Sequence, residues 1–497
     1  MKKTISLALL LAMAGLAQAA TITVGPGADY DFNAIQAGID AAVDGDTMLV
    51  TPAEYVITES IAFRGKAITV KSEAGPDETT IRMSPPRGSR GSSVVIFENG
   101  ETTESVLEGF TITGGTGSWV SAVSAYAGGG IYFNASSGTL RNCVVVKNKA
   151  DVGGGGGVSA CFGASPFLTN CIFMENSATW GGGVHCWNGC SIVLTNCIIA
   201  ENSADESGGG VYCYDNSSVT LTNCEIMSNT ATIWGGGLYV GHGSATLTNC
   251  LIARNSGLQL GGGGIVSSYP DTSLSVRNCT IWGNSGGFSC PPGHELWGGG
   301  GVLSRNASAT VTNSIVWGNT SPVGSEISVV EAPSTLTIAY SNLGGGQTGV
   351  NVEGGSPLDW GPGNIDADPL FARLGYMDDK GTSDPSDDVW VEGDFHLKSQ
   401  AGRWDSNNQT WVQDGVTSPC IDAGDPMSPI GWECFPNGGF VNMGAYAGTP
   451  EASKTYFDQP ICETIVAGDI NGDGQVNRAD LEIMALHWTD EEPLPLP

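Results

Sequence analysis

The chain has 497 residues, 51 Asp and Glu against 20 Lys and Arg, and a formal net charge of −31. So few basic residues leave no patch for a phosphate backbone or an anionic lipid surface, and nucleic acid is not an expected partner. The 73 glycines lack the every-third spacing of collagen, and 13 Trp, 12 Tyr and 14 Phe are more than a disordered chain carries.

In chain order, Lys2 and Lys3 precede an apolar run from Ile5 to Leu16, and Ala17-Gln18-Ala19 supplies small residues for a cleavage site. Residues 1–19 therefore read as a signal peptide, and the mature protein is expected to be secreted or at the cell surface. The run is too short to span a bilayer, and no later stretch reaches the roughly 18 apolar residues of a spanning helix. Residues 20–127 read as an N-terminal cap with irregular coils. Asp31 to Val43 has the pattern of an amphipathic helix, with Phe32, Ile35, Ile39 and Ala42 on one stripe. Strand-like runs follow at Thr47–Thr51, Ala67–Lys71, Val94–Phe97 and Val106–Thr113.

Residues 128–345 are a repeat. The string LRNCVVVKN at Leu140 returns as LTNCIFMEN at Leu168, LTNCIIAEN at Leu194, LTNCEIMSN at Leu221 and LTNCLIARN at Leu247. Between these strings, a Gly cluster precedes an aliphatic residue at Ile131, Val158, Val184, Val211, Leu238, Ile265 and Val302. Each unit of about 27 residues holds several short strands and cannot bury its apolar side chains alone, so neighbouring units must stack. The expected fold is all-β, a parallel β-helix in which the same residue of each coil lies above its predecessor. Cys143, Cys171, Cys197, Cys224, Cys250 and Cys279 then form a ladder of buried thiols, slightly too far apart for disulfides. Asn148, Asn176, Asn202, Asn229, Asn255, Asn284 and Asn319 form an amide ladder in a turn. Cys420, Cys434 and Cys462, outside the ladder, are the cysteines expected to pair.

Residues 346–460 read as C-terminal coils and a cap, interrupted by an acidic insertion at Asp378, Asp379, Asp384, Asp387 and Asp388 that fits no standard calcium loop. Residues 461–497 hold a sharper motif. Asp469, Asn471, Asp473, Gln475, Asn477 and Asp480 occupy calcium-loop positions, with Gly474 at the turn, so Ca²⁺ is the expected cofactor. A short helix bearing Leu481, Met484 and Trp488 is expected after the loop.

If Val184 and Val211 point inward, alternation turns His185, Trp187, Tyr212, Tyr214 and Tyr239 outward on three successive coils. Trp180, Trp234 and Trp297 each precede a Gly cluster at the rim of the same sheet. Aromatics in such rows suit stacking against sugar rings, with Asp215 nearby to accept hydroxyl hydrogen bonds. His185 and Tyr212 are the candidates for a base and an acid. No outward Lys or Arg on these coils would neutralise a uronate, and Asp205-Glu206, placed on a turn, does not make the spaced carboxylate pair of a glycosidase.

The order ITVGPG, helix, GDTMLV, AITVKS resembles the start of right-handed parallel β-helix proteins of the pectate-lyase-like superfamily. FMENSATWGGGV resembles polymorphic outer-membrane protein repeats. NIDADPLF, SPCIDAGDP and NMGAYAGTPEAS resemble a bacterial family of secreted β-helix proteins that often carry dockerin-like tails. The calcium motif resembles one dockerin repeat where dockerins usually have two, which implies either a partial docking module for a cohesin-like or cell-surface partner or a calcium-stabilised cap. Three functions stay open: engagement of extracellular or cell-wall polysaccharide, catalysis as a polysaccharide lyase or glycosidase on the same face, and service as a surface adhesin or structural protein.

Overall fold

The computed structural model describes residues 19–84, 91–121, 124–287, 297–353, 355–378, 380, 389–391, 393–457, 478 and 481. Residues 1–18 of the expected signal peptide, the calcium-loop residues Asp469, Asn471, Asp473, Gln475, Asn477 and Asp480, Cys462, and Asp379, Asp384, Asp387 and Asp388 of the acidic insertion lie outside them.

One coil shows how the repeat builds the molecule. Ser191–Thr195 is a strand of sheet I, Ile198–Ala200 of sheet II, Ser203–Ser207 of sheet III and Val211–Tyr214 of sheet IV. Ser218–Thr222 then re-enters sheet I directly beside Ser191–Thr195. Among the described residues, sheet I stacks 13 strands from Thr21–Val24 to Leu358–Trp360, sheets II and IV stack 11 each, and sheet III stacks eight. Pairing is parallel throughout these sheets, except where Ser118–Val120 runs antiparallel to Ala125–Ala127 at the edge of sheet III. Inward side chains such as Ile192, Leu194, Ile199, Val211 and Cys213 join a single core that runs the length of the stack.

Each repeated motif marks a corner. The Thr-Asn-Cys string turns sheet I into sheet II, with the Asn in the left-handed region that Asn tolerates, as at Asn196 (φ 52). The ladder Asn turns sheet II into sheet III. The Gly cluster turns sheet III into sheet IV: Gly208 has φ 67, and a Cβ on Gly209 would lie 2.5 Å from the carbonyl oxygens of Gly236 and Thr230. Only glycine fits there.

The Cys ladder is made of free, buried thiols, as the spacing predicts. Each donates to backbone, Cys224 Sγ to Leu194 O at 3.5 Å and Thr222 O at 3.4 Å. In the amide ladder, Asn202 Nδ2 donates to Asn229 Oδ1 (3.0 Å) and back to Phe173 O (2.9 Å), while its backbone N–H shares the same Asn229 oxygen. The pattern repeats from Asn148 to Asn319 with spacings of 26 to 35 residues. Glu326 ends it, accepting Asn319 Nδ2 at 2.6 Å and Gly318 N–H at 2.8 Å. Burial pushes that carboxyl up to about 7.

Three expectations need correction. The N-terminal helix is Ile35–Ala41, shorter than Asp31 to Val43, although Ile35 and Ile39 are buried as expected. Phe32 is instead held extended by hydrogen bonds with Thr23 and Gly25, and Lys66 Nζ binds the carbonyls of Ile39, Asp40 and Ala42, so Ala42 and Val43 leave the helix. The run Val106–Thr113 is two strands, Val106–Glu108 and Thr111–Thr113, parted at Gly109 (φ 81).

The third correction is the largest. The coils do not continue through 346–460; among the described residues the last strand of the stack is Leu358–Trp360, and the described residues between 366 and 457 fold back over the outward face of sheet II. Phe371, Phe395, Leu397, Ile421 and Met443 bury Leu251, Ala253 and Ile315, with Trp282 and Trp317 packed alongside. Asn249 donates to Ala445 O and Ala447 O, and Asn313 Oδ1 accepts from Asp425 N–H at 2.7 Å. Cys420 is a free thiol accepting from Asn342 Nδ2, and Cys434 is also free, so these two do not pair. Cys420 is fully buried in the cluster between sheet II and this layer, where it packs.

Candidate functional site

Parallel strands in register put equivalent residues of successive coils side by side. On sheet IV, Ser159, His185, Tyr212 and Tyr239 share one row, and Cys161, Trp187, Tyr214 and Gly241 share the next. In the first row the imidazole of His185 stacks on Tyr212 (centroids 5.5 Å apart, planes at 8°), which stacks on Tyr239 (5.1 Å, 8°). Ser159 Oγ lies 3.0 Å from His185 Nδ1. In the second row, Trp187 meets Phe162 edge-on at 5.4 Å, and Tyr214 tilts against Tyr212 at 5.8 Å.

A cleft of about 360 Å³ opens over these rows, lined by His185, Trp187, Tyr212, Tyr214 and Cys161. Its second wall is sheet III: Val120 and Tyr126 of the edge hairpin, Val152 and Gly154, and Trp180. Sheet III bulges where Lys149–Gly154 pairs with Ser177–Trp180, leaving Val152 exposed at the rim with φ 50. Gly154 makes room for the imidazole, since a Cβ there would stand 2.5 Å from His185 Nε2. Trp180 Nε1 donates to Glu206 Oε2 at 2.9 Å.

Burial sets the electrostatics. It lowers His185 to about 4, so the imidazole is neutral near neutral pH, and it raises Cys161 to about 12. It also pushes the Tyr212 phenol well up, with the neighbouring tyrosines adding to the shift. These groups face the cleft as neutral donors and acceptors.

The sequence-predicted residues divide. Trp180, His185, Trp187, Tyr212 and Tyr214 are brought together at one cleft. Trp234 is not among them: it stacks on Trp297 (4.9 Å, 15°) under the guanidinium of Arg305. Tyr239 is 7% exposed and packs with Val266 and Leu303. The row is therefore not an open platform along its length, because sheet III and the Gly corners rise beside it; His185 too is only 7% exposed. His185 and Tyr212 meet face to face, without a hydrogen bond between them in the arrangement described. Asp205 and Glu206 lie on the strand Ser203–Ser207, not on a turn, and both reach solvent. Val120, Tyr126, Val152 and Gly154 were not foreseen; the alternation in Ser118 to Ala127 was the available signal.

Among the described residues, no group of three His, Cys, Asp or Glu side chains is placed to hold a metal ion, and no helix is long and apolar enough to cross a membrane. A second cavity of about 290 Å³ lies between sheet II and the covering layer, with Glu225, Tyr446 and Glu451 in its walls. Beneath it His396 stacks on Tyr446 at 3.7 Å, and its Nδ1 lies 2.7 Å from Asp394, which also pairs with Arg403. This network fastens the layer to itself.

A family model described as a right-handed beta helix region matches residues 88–206, 120–281 and 209–364, which together are more than half of the chain. The chain belongs to the right-handed β-helix family. A second model, described as disaggregatase related, matches residues 309–424, spanning the last coils of the β-helix and part of its covering layer. No curated protein matches the chain. Among solved structures, a pectate lyase is similar over 87% of this β-helix and 97% of its own chain, at 15% identity and a TM-score of 0.42. The A-module of a mannuronan C-5 epimerase from Azotobacter vinelandii is similar over 67% and 94%, at 15% identity and 0.31. The catalytic domain of a GH87 alpha-1,3-glucanase is similar over 67% of each chain, at 11% identity and 0.31. These likenesses concern the fold.

Proposed function

We propose that this β-helix is an exported protein that engages extracellular or cell-wall polysaccharide, seating sugar rings in the cleft between sheets III and IV. The observation that carries the reading is the cleft itself. Its volume lies in the range of small-molecule sites. Trp180, Trp187, Tyr212 and Tyr214 offer apolar faces to the C–H faces of a sugar, while indole N–H, phenol and imidazole edges meet hydroxyls. Under this reading the C-terminal residues Asp469, Asn471, Asp473, Gln475, Asn477 and Asp480 bind Ca²⁺ and tether the protein to a cohesin-like or cell-surface partner.

A glycan-array and turnover screen of the chain without residues 1–19, with Ca²⁺ and with chelator, tests it. Binding without product, lost in Trp187→Ala, is the expected result. Product formation would replace binding by a lyase or glycosidase function and make His185 the first residue to mutate. Silence on every glycan by a folded protein would sink the polysaccharide reading and favour an adhesin or structural protein. Calorimetric titration with Ca²⁺ tests the tail separately: Asp469→Ala with Asp473→Ala should abolish the binding event.

A further inference from the structure

We infer that the cleft is built for an uncharged glycan and turns away uronic-acid polymers. The inference rests on the polysaccharide reading above and names the substrate class of that site.

Among the described residues that line the cleft there is no Lys, Arg, Asp or Glu. A carboxylate entering between Trp187 and Tyr212 would shed water and find no cation in exchange, and an unpaired buried charge is among the costliest groups a site can hold. The imidazole does not supply that charge. Its Nδ1 faces the Ser159 hydroxyl at 3.0 Å, its ring lies against Tyr212, and among the described residues no carboxylate pairs with it to favour protonation. Its depressed pKa, about 4 through burial, agrees with this geometry.

The nearest cations on the flanking strands are already engaged. Lys149 pairs with Asp151 at 2.7 Å. Arg305, further along sheet IV, lies over Trp297 at 4.5 Å and pairs with Glu331 at 3.0 Å. The rim adds repulsion: Glu206 is fixed on Trp180 Nε1, and Asp205 is exposed beside it. Behind the rim stands a molecule of net charge −31, which opposes the approach of any polyanion. A neutral sugar meets none of these penalties, and its hydroxyls match the neutral donors and acceptors of the wall.

The test is calorimetry or affinity electrophoresis on the full chain at physiological salt, with Ca²⁺ and with EDTA. The probes are β-1,4-glucan, β-1,3-glucan, xylan and mannan oligosaccharides on one side, and oligogalacturonate and oligoalginate on the other. At least one neutral probe should bind, with uronates weaker by roughly 100-fold. Asp205→Lys, at an exposed rim position outside the lining of the cleft, should raise uronate affinity by about tenfold and leave neutral binding within about twofold. Uronates binding as tightly as neutral probes, in Ca²⁺ or in EDTA, would overturn the inference while leaving the polysaccharide reading intact. So would an Asp205→Lys protein, shown folded by its melt, with unchanged uronate affinity. No binding to either class would instead remove the polysaccharide reading, and the inference with it.

Discussion

On sheet II the outward side chains of the later coils, Leu251, Ala253 and Ile315 with Trp282 and Trp317, lie beneath residues 366–457. On sheet IV the outward His185, Trp187, Tyr212 and Tyr214 front a cleft. Both faces break the rule that a half-buried strand is polar outside, and each breaks it with different chemistry. The permanently covered face buries the aliphatic Leu251, Ala253 and Ile315, which gain from leaving water and need no polar partner, and keeps Trp282 and Trp317 only half-buried beside them. The open face uses Tyr, Trp and His, whose polar edges tolerate water when the cleft is empty and whose faces reward a ligand that displaces it. The choice of apolar residue thus separates a surface meant for the chain's own use from one left for something else.

Predictions that would break or sharpen this contrast fall in order of size. Phe395 is buried against Trp282 (5.2 Å) and Phe371 (5.3 Å), so Phe395→Ala should cost about 3–5 kcal/mol and expose residues 366–457 to protease. Urea unfolding beside limited proteolysis measures both. Trp187→Ala should cost less, about 1–2 kcal/mol, because the indole is only half-buried, edge-on to Phe162; equal losses at the two sites would erase the distinction.

Next comes a pH dependence. Burial raises Glu326 in the solenoid, and Glu433 in the layer, from 4.5 to about 7, and raises Asp422 from 3.8 to about 6. Each group binds its proton more tightly when folded, so its contribution is fully present below the unfolded value and is lost as pH rises through the folded one. Stability should therefore fall between about pH 4.5 and about pH 7, by about 3 kcal/mol for each glutamate. Glu326→Gln should flatten the slope for the solenoid and Glu433→Gln the slope for the layer, read from denaturation midpoints across that window. One shared slope, moved equally by either variant, would mean that the two regions unfold as a unit.

Smaller effects concern the cleft. Trp187→Ala should weaken glycan binding by at least about tenfold, near 1.4 kcal/mol, as calorimetry would report. Gly154→Ala should weaken it about threefold and cost about 1–3 kcal/mol of stability, since the new methyl must displace the buried His185 ring. Undiminished affinity in Gly154→Ala would show that the imidazole does not meet the ligand.

The solenoid was legible because its corners repeat. The corner Asn before the Cys or Ser position, the ladder Asn and the Gly cluster recur on every regular coil, and parallel stacking turns that recurrence into ladders. The direction of the aromatic rows was legible too, since alternation along Val184–Trp187 and Val211–Tyr214 follows from strand geometry. Their burial was not. It depends on the edge hairpin Ser118 to Ala127 and the bulge at Val152, which occur once and leave no period to read. The covering layer escaped for the same reason, although Leu251, Trp282 and Trp317 at outward positions were its trace. Asn142, Asn170, Asn196 and Asn223 bond to one another in the open, whereas the equivalent Asn249 and Asn313 hold the layer; identical motifs hid that change of task.

The buried amide ladder has a grammar of its own. From Asn176 to Asn319 each asparagine receives two N–H bonds from the coil before it and passes the same pair to the coil after it, so an inner coil is neither first nor last. Only Glu326 closes the sequence, taking from Asn319 what another asparagine would have taken. Duplicating or excising one 27-residue unit between Asn176 and Asn255 would leave each amide with the same neighbours and the same terminus. The length of this protein is then a quantity that recombination can adjust one coil at a time, with a single carboxylate as its full stop.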